Sequence, residues 1–143
     1  MRAVSEVLPF ISYGGDYNPE QWSEDVWLED ARLMKKAGVN MVSLGIFSWG
    51  VLERSEGEFD FGWLDKVMNI LHDHGVGVNL ATATASTPAW LSKKYPGSIA
   101  LDQHKNPYSF GSRQHYSPNS PDYIRRIEIL VRKLGERYKD HRL

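Results

Sequence analysis

Short apolar runs alternate along this chain with amphipathic stretches of helical spacing, and this alternation constrains the fold more than any other feature. Two of the runs, Val39 to Leu44 and Val76 to Ala81, have the length of buried strands. The helical stretches carry apolar stripes: Trp27, Ala31 and Met34; Leu64, Val67, Met68 and Leu71; and Ile124, Ile127, Val131, Leu134 and Tyr138. Because buried strands that alternate with helices form parallel sheets, the pattern predicts an α/β fold.

Cap and turn residues mark where these elements begin and end. Ser23, followed by two acids, predicts the start of the first helix, and Gly38 and Gly75 predict the ends of the first and second helices. Ser120-Pro121-Asp122 combines a cap, a proline at the first helical position and an acid, so it predicts the start of the third helix. The first strand is expected in the apolar run from Phe10 to Gly14.

The segments after the strands are long, and those after the helices are short. Between Thr82 and Ser120 we expect at most one short helix, near Ala89 to Lys94, and a loop of that length is normally functional. This asymmetry favours a (β/α)8 barrel, in which all βα loops share the face that carries the active site. An open doubly wound sheet is the alternative, but the Gly14-Gly15 turn leads into Asp16 and offers no phosphate cradle.

The length of the chain sets how much of a barrel it can form. A typical barrel takes about 250 residues, so 143 residues correspond to about three βα units. We predict that residues 1–143 are the N-terminal portion of a (β/α)8 TIM barrel, truncated before the fourth strand. The loops around Asp16, Trp49 and Trp90 should then lie on one face.

Charge and cysteine content exclude several classes of function. The formal net charge is −1 and there are no cysteines, so we expect no nucleic-acid partner, no disulfide and no thiolate metal site. The basic residues near the end fit a solvated helix face; they are Arg125, Arg126, Arg132, Lys133, Arg137, Lys139 and Arg142. We see no membrane-length apolar run and no signal-peptide pattern in Met1 to Phe10, so we expect a cytoplasmic protein without a membrane partner.

Four stretches in a fixed order carry a family resemblance. They are Tyr13-Gly14-Gly15-Asp16-Tyr17-Asn18-Pro19-Glu20-Gln21-Trp22; the run from Gly38-Val39-Asn40 through Phe47-Ser48-Trp49 to Trp63-Leu64-Asp65; Ala81-Thr82-Ala83-Thr84-Ala85-Ser86-Thr87-Pro88-Ala89-Trp90-Leu91; and Phe110-Gly111-Ser112-Arg113-Gln114-His115-Tyr116, followed by Ser120-Pro121. With this order and spacing the chain resembles the β-galactosidases of glycoside hydrolase family 42, from Tyr13 to His141.

The resemblance implies a retaining β-galactosidase, which uses two carboxyl groups about 5 Å apart, one as acid/base and one as nucleophile. In the family the acid/base Glu follows an Asn at the end of the fourth strand, and the nucleophile Glu ends a much later strand. This sequence reaches only Asp140 to Leu143, with Arg142 where the family usually has Pro. Both carboxylates are therefore expected outside it, no catalytic residue is assigned, and the chain alone is expected to be inactive.

The resemblance also implies a sugar-contacting residue. Arg113 is the Arg of the family's Gly-Ser-Arg motif, and its five fixed donors suit neighbouring sugar hydroxyls. Trp49 and Trp90 are candidates for stacking on a sugar, with core packing as an equal alternative. Glu53 is interpreted first as a loop brace, with orientation of Arg113 as another role, and His115 as a second brace.

Metal and cofactor sites are not expected. Some family members hold zinc through cysteines, the first of which corresponds to Ser117, so that site is predicted to be missing.

Asp16 and Asn18 are expected to form turn structure after the first strand. The expected partner is a β-galactoside substrate, and a homo-oligomer is a further expectation for the full-length enzyme.

Two other functions remain open at this point. One is a different retaining glycosidase on the same barrel, such as a β-glucosidase or an arabinosidase. The other belongs to a different class, a non-catalytic carbohydrate-binding or interaction module left by a truncated glycosidase gene. Catalysis needs strands that this chain lacks, whereas Arg113 and the tryptophans would still allow weak sugar contact.

Overall fold

The computed structural model of the protein describes residues 10–111 and 114–141. In chain order its elements are β1 (Asp16–Tyr17), a 3-10 turn (Pro19–Gln21), α1 (Glu24–Lys36), β2 (Met41–Leu44), α2 (Trp49–Leu52), β3 (Glu53–Ser55), β4 (Glu58–Phe59), α3 (Gly62–Asp73), β5 (Gly77–Leu80), α4 (Ala89–Lys94), a 3-10 turn (Pro96–Ser98) and α5 (Pro121–Tyr138). These elements form the expected three βα units, with an antiparallel β3–β4 hairpin inside the second.

The strands β1, β2 and β5 form one parallel sheet in that order. Ser43 of β2 pairs with Asp16 on one side and with Asn79 on the other. Strands that follow one another in chain order, without a reversal, are arranged as in a barrel, because the order of a doubly wound sheet reverses at a switch point. The predicted parallel sheet is confirmed.

The helices cover one face of this sheet. Val42 and Leu44 of β2 are buried in one cluster with Ala31 of α1. The cluster also contains the predicted stripe of α3, Leu64, Val67, Met68 and Leu71. Burying one such side chain stabilises a fold by about 1.5–3 kcal/mol, so this stripe is a main source of the stability of the second unit.

The helix α5 buries only part of the predicted stripe: Leu134 is buried, and Ile127 and Tyr138 are partly buried against the core. Its buried residues are Tyr123, Arg126, Leu130 and Leu134. Ile124 and Val131, which the prediction placed in the core, are exposed. Helical spacing alone does not choose between two neighbouring stripes. The structure selects the one with an arginine in it, because that arginine meets acids on the facing loop.

The first strand also begins later than predicted. Regular pairing is confined to Asp16 and Tyr17, whereas the apolar run was expected to end the strand at Gly14. The end of that run lies beside β2, where Met41 N donates to Tyr13 O (3.4 Å) and Ser43 N donates to Gly15 O (3.0 Å). Asp16, expected in a turn after the strand, therefore lies within it.

The long segment between β5 and α5 is organised by its own hydrogen bonds. The predicted short helix is present as α4, Ala89–Lys94. Beyond it, bridges join Ile99 to Tyr116 and Leu101 to Pro107. Asp102 Oδ1 closes the tip of this arm by accepting hydrogen bonds from the backbone N–H groups of His104 and Asn106, both at 2.8 Å. The segment is thus a folded arm rather than a structureless loop.

Candidate active-site face

The loops that follow the three parallel strands share one edge of the sheet, because parallel strands end on the same side. The loop after β2 carries Trp49 and the loop after β5 carries Trp90. The Trp90 indole Nε1 donates a hydrogen bond to the backbone oxygen of Glu53 at 2.8 Å, which joins the two loops directly. The predicted placement of these loops on one face is confirmed, and in a barrel that face carries the active site.

Glu53, the first residue of β3, is a buried carboxylate with both oxygens bonded. Its Oε2 accepts a hydrogen bond from Trp49 Nε1 at 2.7 Å, and its Oε1 accepts one from the backbone N–H of Gly57 at 2.8 Å. Arg126 Nη2 also donates to Oε1, which makes a buried ion pair. A carboxylate held by three donors fastens the loop after β2, which is the bracing role expected of Glu53.

Arg126 connects α5 to both loops. Its Nη1 donates to Glu56 Oε1 at 3.2 Å, and its guanidinium carbon lies 5.3 Å from the centre of the Trp90 ring. Glu56 also accepts hydrogen bonds from Lys94 and from the Tyr95 hydroxyl. The Lys94 ammonium, followed by the Tyr95 hydroxyl, holds the pKa of Glu56 below its usual value. This network holds the hairpin, α4 and α5 in one arrangement beneath the face.

The two candidate tryptophans have different surroundings. Trp49 has no exposed surface, and its ring lies 6.2 Å from that of Tyr123. It therefore has no face free for a sugar, and core packing is the role that this placement supports. Trp90 is partly buried and lies beneath the guanidinium of Arg126, so sugar stacking on Trp90 stays a prediction.

The third candidate, Arg113, lies outside the described residues, together with Ser112. His115 follows it by two positions and is buried. Its Nε2 lies 3.0 Å from Thr87 Oγ1 and 3.5 Å from Ser92 Oγ. These contacts fasten His115, which follows the Gly-Ser-Arg motif, to the segment after β5, and they give His115 the bracing role expected from the sequence.

A polar contact at the end of β1 was not expected from the sequence. Ser48 Oγ donates a hydrogen bond to Glu20 Oε1 at 2.9 Å and joins the loops after β1 and β2. The other carboxylate oxygen of Glu20 and the Oδ1 of Asn18 are buried, and neither has a hydrogen-bond partner in the described part of the chain. Glu20 and Ser48 are 28 positions apart, so no local pattern could have paired them.

The zinc site suggested by the resemblance does not fit these residues. Ser117 occupies the position of the first cysteine; its backbone N–H donates to Ser98 O at 2.7 Å, and its carbonyl accepts from Ser120 N at 3.1 Å. The chain contains no cysteine. Among the described residues, no three or more His, Cys, Asp or Glu side chains are grouped so that they could hold a metal ion.

No helix within residues 10–111 and 114–141 combines the length and the apolar character needed to cross a membrane.

Comparison with known proteins assigns the chain to a family. The model of glycoside hydrolase family 42, described as β-galactosidase, matches residues 16–143. The β-galactosidase BgaB of Geobacillus sp. (strain Y412MC61) is 64% identical over 135 residues, which cover 94% of this chain and 20% of that protein. The β-galactosidase LacZ of Heyndrickxia coagulans is 60% identical over 129 residues, which cover 90% of this chain and 19% of that protein.

A solved structure gives the same result. The crystal structure of the β-galactosidase from Bacillus circulans sp. alkalophilus matches with a TM-score of 0.89 and 44% sequence identity, over 93% of this chain and 20% of that chain. This match confirms the predicted fold class, the N-terminal part of a (β/α)8 barrel. The chain spans about a fifth of the length of the relatives that it matches.

Proposed function

Because this chain belongs to glycoside hydrolase family 42, we propose that it supplies three βα units of the catalytic barrel of a retaining β-galactosidase. The complete enzyme hydrolyses terminal β-D-galactosyl residues, and residues 1–143 are the N-terminal portion of its catalytic domain. The family match across residues 16–143 carries this proposal. The names of the relatives support a β-galactoside as substrate.

The catalytic carboxylates lie outside this chain in our proposal. Retention requires an acid/base and a nucleophile about 5 Å apart. Glu53 is not free for either role, because its oxygens are occupied by Trp49, Gly57 and Arg126. The described loops would instead shape and support the site that the later strands complete.

Substrate contact is assigned to Arg113 and to Trp90. Arg113 would donate to sugar hydroxyls through its planar fork, while His115 holds the adjoining chain against Thr87. A cytoplasmic location and a homo-oligomeric full-length enzyme belong to the same proposal.

The test uses the chain alone and a chimera in which it replaces the matching part of the Geobacillus β-galactosidase. The chain alone should not hydrolyse a chromogenic β-galactoside above background, whereas the chimera should hydrolyse it and should prefer it to the β-glucoside. In the chimera, Arg113→Ala should lower kcat/KM sharply. Arg132→Ala removes an exposed arginine that pairs with Glu128 on the same helix and should leave kcat/KM unchanged.

Two results would contradict the proposal. Hydrolysis by the chain alone that disappears in Glu53→Gln would place the catalytic pair within this segment. Equal turnover in the Arg113→Ala and Arg132→Ala chimeras would remove Arg113 from the site.

A further inference from the structure

The sheet face opposite the helices carries a row of polar side chains. Val42 and Leu44 are buried beneath the helices, so Ser43, between them, points away from the helices. Asp16 and Asn79 pair with Ser43 on the neighbouring strands, and Asn79 Nδ2 donates to Ser43 Oγ at 3.3 Å. We call Asp16, Ser43 and Asn79 the inner row.

In a complete barrel this face lines the interior. Interior layers are usually filled by Val, Ile and Leu side chains, so a row that contains a carboxylate is unusual there. A carboxylate inside a barrel needs a charged or hydrogen-bonding partner, because burial without one is strongly unfavourable. The chain spans about a fifth of its relatives, so strands outside this segment close the interior over the row.

The described residues supply no ion-pair partner for the carboxylate of the inner row. Within the part of the chain that the structure describes, no ion pair involves Asp16. Asn18 Oδ1 and Glu20 Oε2, on the turn that follows β1, are also buried acceptors without a donor in that part. A hollow of about 140 Å³ adjoins the row and is lined by Ser12, Gly14, Gly15, Met41, Val42 and Ser43. Among residues 10–111 and 114–141, the surroundings of the inner row therefore offer acceptors and space but no paired cation.

We propose that the inner row receives the guanidinium of an arginine carried by a barrel strand outside this chain. A guanidinium can pair through two parallel hydrogen bonds with the Asp16 carboxylate. Its remaining N–H groups can reach the Ser43 oxygen, because neighbouring strands lie only about 4.8 Å apart. A lysine ammonium is a single point charge and does not match two strands at once. The pair anchors β1, whose regular pairing is only two residues long, to the opposite wall of the barrel.

The test uses the chimera with the Geobacillus enzyme, which encloses the row in a complete barrel. Its crystal structure should show an arginine from outside this segment hydrogen-bonded to both carboxylate oxygens of Asp16. Asp16→Asn should lower the midpoint of thermal unfolding by several degrees, whereas Asp73→Asn, at an exposed position in α3, should change it by about one degree or less.

Either measurement can overturn the proposal, and neither depends on the substrate assigned above. Water, apolar side chains or a lysine against Asp16 in the crystal structure would exclude the arginine. Equal midpoints for the two variants would show that the Asp16 carboxylate has no buried partner. The structure of the unsubstituted chimera answers the question even if the Asp16→Asn variant fails to fold.

Discussion

Glutamine in place of Glu53 should destabilise the barrel far more than glutamine in place of Glu56, although both acids pair with Arg126. The Glu53 carboxylate has no exposed surface and accepts hydrogen bonds from Trp49, Gly57 and Arg126. Glutamine keeps the shape but removes the charge, and its amide nitrogen is a donor where the carboxylate had an acceptor. One of the three donors therefore loses its partner and faces another N–H group.

The size of the stability loss depends on which partners Arg126 keeps after the substitution. Removing one partner of a buried ion pair costs about 3–5 kcal/mol. In Glu53→Gln, Arg126 still pairs with Glu56 Oε1 at 3.2 Å, so its charge keeps a partner. We therefore expect Glu53→Gln to lower the free energy of unfolding by about 3 kcal/mol. Glu53→Leu should lower the free energy of unfolding further, because it also leaves Trp49 Nε1 and the Gly57 N–H without an acceptor. Each unpaired group costs about 1–3 kcal/mol.

The assay is thermal unfolding of the chimera, with all variants measured by one protocol because a chain of that size need not unfold in two states. Glu56→Gln is the matched control: it removes a charge from the same network, but at a side chain that is 24% exposed. The double variant Glu53→Leu/Arg126→Met should recover only part of the Glu53→Leu loss, because it removes the unpaired guanidinium but leaves Trp49 Nε1 and the Gly57 N–H without an acceptor. Equal midpoints for Glu53→Gln and Glu56→Gln would refute the reasoning.

Three further predictions concern other parts of the chain. Gly14→Ala should lower the unfolding midpoint of the chimera, because a Cβ at Gly14 would lie 1.7 Å from Met41 O, whereas Gly15→Ala meets nothing within 4 Å and should be tolerated. Arg137, hydrogen-bonded to Asp65, lowers the pKa of that carboxyl. Asp65→Asn should therefore reduce stability at pH 7, and the difference should shrink as the pH falls below the ordinary Asp value of about 3.9 and vanish below the lowered folded value. The isolated chain should bind an apolar dye and elute as aggregates, because β1 and β5 each leave one edge unpaired in the described sheet.

Helix limits were predictable because their causes lie within a few residues. The Ser120 side chain accepts a hydrogen bond from Tyr123 N at the start of α5. Gly38 and Gly75 have φ angles of +77° and +75° just after α1 and α3, a conformation that glycine adopts without steric cost. The position of β1 was harder to predict, because the apolar run before it is not buried in the core. Ile11, for example, is 90% exposed.

The contacts of the candidate site were not predictable, because they join residues that are far apart in the chain. Glu53 and Arg126 are 73 positions apart, and Trp90 and Glu53 are 37 apart. Which loop meets which helix depends on how the three units pack, and no local pattern records that. The burial of the Trp49 ring has the same origin, because the ring packs 6.2 Å from that of Tyr123, which lies on α5.

One signal could nevertheless have located Arg126, namely its position in α5. Tyr123, Arg126 and Leu130 follow at intervals of three and four, so the arginine shares a face with two large buried residues. By helical spacing alone, either of the two apolar stripes of α5 could face the core. The prediction placed the neighbouring stripe there, which left Arg126 on the solvent side. The second stripe stays exposed at Val131, beside a groove of about 510 Å³ between β5 and α5. A barrel helix contacts the sheet on one side and its neighbours on the other, so the two stripes of α5 correspond to two packing surfaces. The one that contains Arg126 is buried within this segment, whereas Ile124 and Val131 of the other stay exposed.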